Sequence, residues 1–170
     1  PTLVSSSAAS DVYKRQCIQH APLLAKLSGE RVRDELFKML LSENKCDAIG
    51  VMISSGVASH FLPEATSTNR LNRLMWLETS AIKVGSVGID PVRRLASIVE
   101  TDATGARKIA ERLRMSNAQR DHLITLVDPP WQATREILDD DLRTLLYRME
   151  PARVIAVSYT HLRAHETATY

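Results

Sequence analysis

Basic side chains crowd two stretches of the sequence, where they could bind phosphate groups. The candidates for contacting a nucleic-acid backbone are Arg70, Arg73, Arg107, Lys108, Arg112 and Arg114. On a helix, Lys108 and Arg112 would share a face at the spacing i, i+4, and Arg70 and Arg73 would do so at i, i+3. Such side chains neutralise phosphates without reading base sequence, and they make binding salt-dependent. The alternative is a solvated helix face whose cations pair with Glu111 and its neighbours.

Residues that could hold a metal ion or transfer protons are scarce. The range Asp139–Asp141 is the one cluster of carboxylates in the sequence. Consecutive helical residues point about 100° apart, so these side chains cannot all face one metal, and the cluster is more typical of a helix start. His20, His60 and His122 have no partners at metal-ligand spacing. We therefore predict no catalytic residue and no metal site in this chain.

The composition is that of an ordinary globular chain. It has 22 Lys and Arg residues against 20 Asp and Glu residues, a formal net charge of +2. This balance argues against a dedicated high-charge nucleic-acid domain, although clustered cations could still contact phosphates. No apolar run approaches the roughly 18 residues that span a bilayer, which predicts no membrane partner. Cys17 and Cys46 are too isolated for a disulfide framework or a zinc site, which fits a cytoplasmic protein.

The clearest of the helices that must position these side chains begins after Ser28. The Ser28 hydroxyl can cap a free backbone N–H, and Glu30 places negative charge at the positive end of the helix dipole. Apolar residues then follow at helical spacing and form one stripe, made of Val32, Leu36, Met39 and Leu40. The cap and the period both predict a helix that starts at this point.

The rest of the chain also follows helical periodicity. Asp90 followed by Pro91 predicts a capped helix start, Ser116 with Gln119 predicts a capping box, and Gly56 is placed to end a helix. The residues predicted to face inward include Ile18, Leu23, Leu24, Leu27, Ala48, Ile49, Met52, Ile53, Leu71, Leu74, Met75, Leu77, Leu95, Ile98, Val99, Ala106, Ile109, Ala110, Leu113, Leu123, Ile124 and Val127. No alternating β pattern competes with this periodicity, so we predict an all-α, multi-helix array without a sheet.

Arg31 and Glu35 are a possible ion pair one turn apart on the helix after Ser28. The cation lies N-terminal to the carboxylate, which is the weaker polarity, so the pair contributes only a few tenths of a kcal/mol within the helix. Either the two side chains belong to a solvated face, or they brace a neighbouring element. The spacing leaves both interpretations open.

The sequence resembles bacterial CCA-adding tRNA nucleotidyltransferases and their poly(A) polymerase relatives. The resemblance is carried first by Ser28–Leu36 and by Gly56–Glu64. Further similar stretches are Asp90–Ala96, Ala110–Asn117 and Leu142–Arg148. It extends from about Ala21 to Val154, and it rests on the order and spacing of these stretches rather than on one motif.

In that family a Glu-Arg-x-x-x-Glu-Leu motif lies in a helical neck behind the catalytic head, where it supports the nucleotide-binding helices and does no chemistry. Glu30, Arg31, Glu35 and Leu36 match this motif. The head of the family supplies a Gly-Ser loop, an Asp-x-Asp pair for two magnesium ions and a Glu-Asp-x-x-Arg motif that selects nucleotides. The resemblance implies that this chain lacks the head and is inactive alone, and that the parent enzyme uses Mg²⁺ with CTP and ATP on tRNA.

Both ends of the sequence resemble translated DNA adaptors. Ser6–Gln16 back-translates to a transposase adaptor of short-read sequencing libraries, and Val157–Thr167 back-translates to the opposite adaptor on the complementary strand. We therefore exclude residues 1–16 and 157–170 from fold prediction, as adaptor-derived and not natural protein. Histidines 161 and 165 then have no predicted role.

Between these ends the sequence predicts two helical parts. Residues 17–79 are the neck-like helices, residues 80–89 a linker, and residues 90–156 truncated body-like helices. The favoured function is that of a helical RNA-binding and supporting fragment of a tRNA nucleotidyltransferase, with tRNA and the missing catalytic head as partners. The alternative is a non-enzymatic helical module that binds RNA or protein.

Overall fold

The computed structural model describes residues 14–42, 46–76, 78 and 88–129. Over these ranges the chain is helical, and its only β feature is an isolated antiparallel bridge between Ala65 and Val99. The all-α prediction is thereby confirmed for the described part of the chain. The predicted helices after residue 130, with the carboxylate cluster Asp139–Asp141, lie outside the described residues.

Helix α1 covers residues 14–20 and passes into a 3₁₀ helix, Ala21–Lys26, whose first turn contains Pro22. The following helices are α2 (Gly29–Leu41), α3 (Cys46–Ser54), α4 (Asn69–Trp76), α5 (Pro91–Ala96), α6 (Ala103–Arg112) and α7 (Asn117–Val127). A second 3₁₀ helix, Ala58–His60, connects α3 to α4. Gly56 ends the α3 segment with a φ of +78°, as the sequence predicted.

The predicted N-caps are confirmed. The Ser28 hydroxyl accepts a hydrogen bond from the first turn of α2, and the Asp90 carboxylate accepts one from the first turn of α5. Ser116 and Gln119 form the complete capping box at the start of α7, with side-chain to backbone distances of 3.0 and 3.2 Å. Local hydrogen-bonding chemistry therefore sets where these helices begin.

One hydrophobic core joins the helices on either side of residues 79–87. Leu36 and Leu40 of α2 contribute to the same cluster as Leu95 of α5 and Leu123 of α7. Most of the predicted inward-facing residues are buried in this cluster or pack against it, and Leu126, which the pattern did not indicate, is 1% exposed. The prediction was wrong for Ile18, Leu23 and Leu27, which are 45–50% exposed on and after α1. None of the helices in the described part of the chain combines the length and apolarity that a membrane span requires.

A buried ion-pair cluster fixes α5 against α2. Glu78 accepts hydrogen bonds from Arg93 at 2.7 Å and from Nε and Nη2 of Arg94 at 2.8 and 2.6 Å. The remaining Nη1 of Arg94 donates to the carbonyl of Leu40, in the last turn of α2. Because the final carbonyls of a helix have no partner within it, Arg94 completes the end of α2 while its own charge is balanced by Glu78.

Candidate nucleic-acid interface

The N-terminus of α2 meets the C-terminus of α6 backbone to backbone. A Cβ atom at Gly29 would lie 2.1 Å from the carbonyl oxygen of Arg112 and 3.1 Å from Cγ of Arg114. Real Cβ atoms do not approach a backbone oxygen this closely, so only glycine fits at the first position of α2. We call this contact region, formed by Gly29, Arg33, Arg112 and Arg114, the α2–α6 junction.

Helix α6 ends in a Schellman motif that places Arg114 in the left-handed region. The N–H of Arg114 donates to the carbonyl of Glu111 at 3.1 Å, and the N–H of Met115 donates to the carbonyl of Ala110 at 2.9 Å. Arg114 has a φ of +48° and is the one non-glycine residue with positive φ in the described part of the chain. Glycine is the usual residue at this position of the motif, because a Cβ atom disfavours the left-handed region.

Arg33 connects the two helices at this junction. Its Nη1 donates to the carbonyl of Arg114, and its Nε donates to Asp34 at 2.9 Å. Its Nη2 also pairs with Asp34 at 2.8 Å, and the Arg33 side chain is 20% exposed. Arg33 was not among the predicted site residues, because no local pattern indicates a hydrogen bond to a residue so distant in the chain.

Arg112 binds within the protein. Its Nη atoms donate to the two carboxylate oxygens of Glu64 at 2.8 and 2.9 Å, and Nη1 also lies 3.3 Å from the carbonyl of Phe61. Burial alone would raise the pKa of Glu64, but the bond from Arg112 and the charges of Arg112 and Lys108 lower it below its usual range. The guanidinium of Arg112 therefore ties α6 to the segment before α4.

Arg70 also has partners within the protein. Its Nε donates to the carbonyl of Ser97 at 3.2 Å, and its Nη2 donates to the carbonyl of Val99 at 2.6 Å. These bonds hold α4 beside the chain that follows α5, next to the bridge between Ala65 and Val99. Arg70 can contact a ligand only through the part of its guanidinium that these carbonyls leave free.

The other predicted phosphate-contacting residues are exposed. They are Arg73, Arg107, Lys108 and Arg114. In the ranges that the structure describes, none of these side chains forms a hydrogen bond or an ion pair of its own. The predicted set thus divides into two residues that bind the protein and four cations that face solvent, and RNA contact by the four stays a prediction.

Glu30, Arg31 and Glu35 are all exposed on α2. Glu35 binds Lys38 at 2.8 Å, and the described residues contain no ion pair between Arg31 and Glu35. This hydrogen bond and the charge of Glu35 raise the pKa of Lys38. Arg31 and Glu35 instead border a groove of about 380 Å³, whose floor includes Leu36, Met52 and Phe61.

A larger apolar groove lies between α1, the first 3₁₀ helix and α3. Its volume is about 680 Å³, and it is lined by Lys14, Cys17, His20, Ala21, Leu24, Ala48, Val51, Met52, Ser55 and Val57. Val51 is 41% exposed there. This groove offers hydrophobic surface rather than charge, so its chemistry suits a protein side chain better than a phosphate.

The histidine and acidic residues of the described ranges bring no three potential metal ligands together. His122 instead lies on α7 with Nε2 at 2.7 Å from the carboxylate of Asp90. Burial alone would raise the pKa of Asp90, but the bonds from His122 and the Val92 N–H, with the nearby charge of Arg93, lower it. This pair links α7 to the cap of α5, so His122 has a structural role.

Comparison with known proteins found one similarity, which lies in the N-terminal part of the chain. Residues 12–68 match the family model described as "Probable RNA and SrmB- binding site of polymerase A". The match runs from α1 to the segment before α4, and it includes Gly29, Arg33 and the Glu-Arg-x-x-x-Glu-Leu motif. Over residues 12–68 the chain is therefore similar to an RNA-binding region of the poly(A) polymerase family. Searches of curated proteins and of solved structures gave no significant match.

Proposed function

We propose that the chain is the helical RNA-binding part of a tRNA nucleotidyltransferase that adds CCA to tRNA 3′ ends. The family match over residues 12–68 carries this proposal, because it identifies an RNA-binding region in the stretch that contains the neck motif. In this proposal a catalytic head elsewhere in the parent enzyme binds Mg²⁺, CTP and ATP. The described helices supply contacts to tRNA and support for that head.

The exposed cations give this function its physical basis. Arg107 and Lys108 extend from α6, Arg73 extends from α4, and Arg114 follows α6 directly. Each can donate charge-assisted hydrogen bonds to phosphate oxygens, which neutralises backbone charge and releases counterions. Such contacts hold an RNA in position without selecting its sequence, as a supporting surface for a separate active site requires.

Equilibrium binding of tRNA to the full chain tests the proposal. Fluorescence anisotropy with labelled tRNA gives the binding constant. We expect the logarithm of that constant to fall linearly with the logarithm of the salt concentration. A DNA duplex of equal length should bind more weakly, because it lacks the 2′-hydroxyl groups and the shape of tRNA. Absence of salt-dependent tRNA binding would contradict the proposal.

The alternative function is a non-enzymatic helical module that binds a protein. The apolar groove of about 680 Å³ favours this alternative, because it exposes hydrophobic side chains at the face between α1 and α3. The coding sequence upstream of this region separates the two functions. A Gly-Ser loop with Asp-x-Asp, followed by Glu-Asp-x-x-Arg, supports the transferase, whereas an unrelated upstream domain supports the module.

A further inference from the structure

Arg114 has a left-handed backbone conformation, and within the described ranges no contact of its guanidinium accounts for an arginine at this position. The end of α6 needs a residue in the left-handed region at this position, and glycine adopts it without the steric cost that a Cβ atom brings. Within the described ranges, the guanidinium of Arg114 donates to no protein group. A strained residue whose polar end has no protein partner is a candidate for binding something outside the protein.

The α2–α6 junction holds the backbone of Arg114 rigidly. Its N–H is bound to Glu111, its carbonyl accepts from Arg33, and its Cγ lies against Gly29. Because the backbone and the first part of the side chain are already fixed, little further ordering is needed when the guanidinium binds a ligand.

The charges around Arg114 favour an anion. Arg33 lies directly beside it, with Nε and Nη2 bound to Asp34 and Nη1 bound to the Arg114 carbonyl, while Arg112 is occupied by Glu64. Within the described ranges, the guanidinium of Arg114 therefore has no carboxylate partner, whereas those of Arg33 and Arg112 are paired. A planar guanidinium matches the two free oxygens of a phosphodiester, and it can bind both at once.

We propose that Arg114 binds an RNA backbone phosphate at the α2–α6 junction, with Arg33 beside it. This inference rests on the proposed RNA-binding function and assigns that function to a definite point on the surface. It joins the α2 segment of the RNA-binding region to α6, which lies beyond residue 68. The RNA would then contact both parts of the chain across one junction.

The test compares tRNA binding by the unaltered full chain, by Arg114→Gly and by Arg114→Asn. Glycine and asparagine both tolerate the left-handed backbone, so these variants remove the guanidinium while keeping the fold. At about 50 mM salt we expect roughly tenfold weaker tRNA binding for both variants, and a salt slope reduced by about one unit. Lys38→Ala is the matched control, because it removes one exposed positive charge from the last turn of α2, at the end of that helix away from the junction, and should change affinity less than about twofold.

Each result has a definite meaning. Affinity and salt slope of Arg114→Gly within twofold of the unaltered chain would overturn the inference while leaving the RNA-binding proposal in place. Equal losses in Arg114→Gly and Lys38→Ala would also overturn it, because only net charge would then matter. Polyglutamate should displace labelled tRNA less effectively than unlabelled RNA of equal charge. Equal displacement would overturn the assignment of RNA as the ligand of Arg114. Failure of the unaltered chain to bind tRNA would overturn the proposed function itself.

Discussion

Gly29 and Arg112 touch through their backbones, although a long stretch of chain separates them. The position of a Cβ atom at Gly29 lies 2.1 Å from the carbonyl oxygen of Arg112, which is far inside van der Waals contact. The opposing atom belongs to a helix rather than to a flexible side chain, so it cannot move aside at low cost. This contact brings α2, which lies in the segment that matches the RNA-binding family model, against α6 and creates the α2–α6 junction.

We expect Gly29→Ala to destabilise the protein by about 2 kcal/mol, because the new methyl group forces α2 and α6 apart. Alanine is the better helix former by up to about 1 kcal/mol, so helix propensity alone predicts that Gly29→Ala stabilises the protein. Gly50→Ala is the matched control, since the nearest atom to its Cβ would be Thr68 Oγ1 at 3.6 Å, an ordinary contact. Urea unfolding should show Gly50→Ala neutral or stabilised, and a stable Gly29→Ala would contradict the packing described.

Arg114→Gly should raise the free energy of unfolding by about 1 kcal/mol, because glycine removes the steric cost of the left-handed backbone. Thermal or urea unfolding of the full chain measures it. Arg112→Gly is the comparison, since it places glycine inside the helix and removes the bonds to Glu64, so it should be destabilising. A loss of stability in Arg114→Gly would show that the arginine has a structural role.

Glu78→Gln should destabilise the protein by about 3 kcal/mol or more, because it leaves the buried charges of Arg93 and Arg94 without a carboxylate. The matched variant Glu35→Gln removes a carboxylate from an exposed pair with Lys38 and should cost less than about 0.5 kcal/mol. Urea unfolding of both variants gives the comparison. Similar effects at the two positions would mean that the Glu78 cluster is solvated.

The stability of the protein should fall with acid in part through Asp90. The pKa of Asp90 is lowered in the folded state, so its carboxylate stabilises the fold above the pKa of the unfolded chain. That contribution is lost as pH falls through the folded pKa, below about pH 4. Asp90→Asn keeps an acceptor for the Val92 N–H but has no charge to lose.

Unfolding free energies measured between about pH 6 and pH 3 should therefore decrease less steeply for Asp90→Asn than for the unaltered protein. Glu64, whose pKa is also lowered, contributes to the same slope and remains in both proteins. An identical slope in the two proteins would show that the bond between Asp90 and His122 does not stabilise the charged carboxylate.

Local patterns in the sequence were sufficient to predict most helices of the described part of the chain. Ser28, Asp90 and the pair Ser116 and Gln119 are caps whose chemistry is complete within one turn, and apolar spacing showed which face of each helix is buried. These signals are independent of how the helices pack. For that reason they could be interpreted before any tertiary contact was known.

The long-range polar contacts could not be predicted in this way. Arg94 is 0% exposed, although arginine is ordinarily a surface residue, because Glu78 and the end of α2 provide its partners. Arg70 and Arg112 were predicted as phosphate contacts from spacing alone, yet both bind within the protein. Arg33 and Gly29 gain their significance only when α2 meets α6.

Amide hydrogen exchange of the full chain, with and without saturating tRNA, tests the central claim most directly. We predict slower exchange at the N-terminal turn of α2 and the C-terminal turn of α6, where RNA would cover the α2–α6 junction. The backbone amides that line the groove between α1 and α3 should exchange at the same rate with and without tRNA. Protection confined to that groove, or no protection anywhere under conditions where tRNA is bound, would contradict the account.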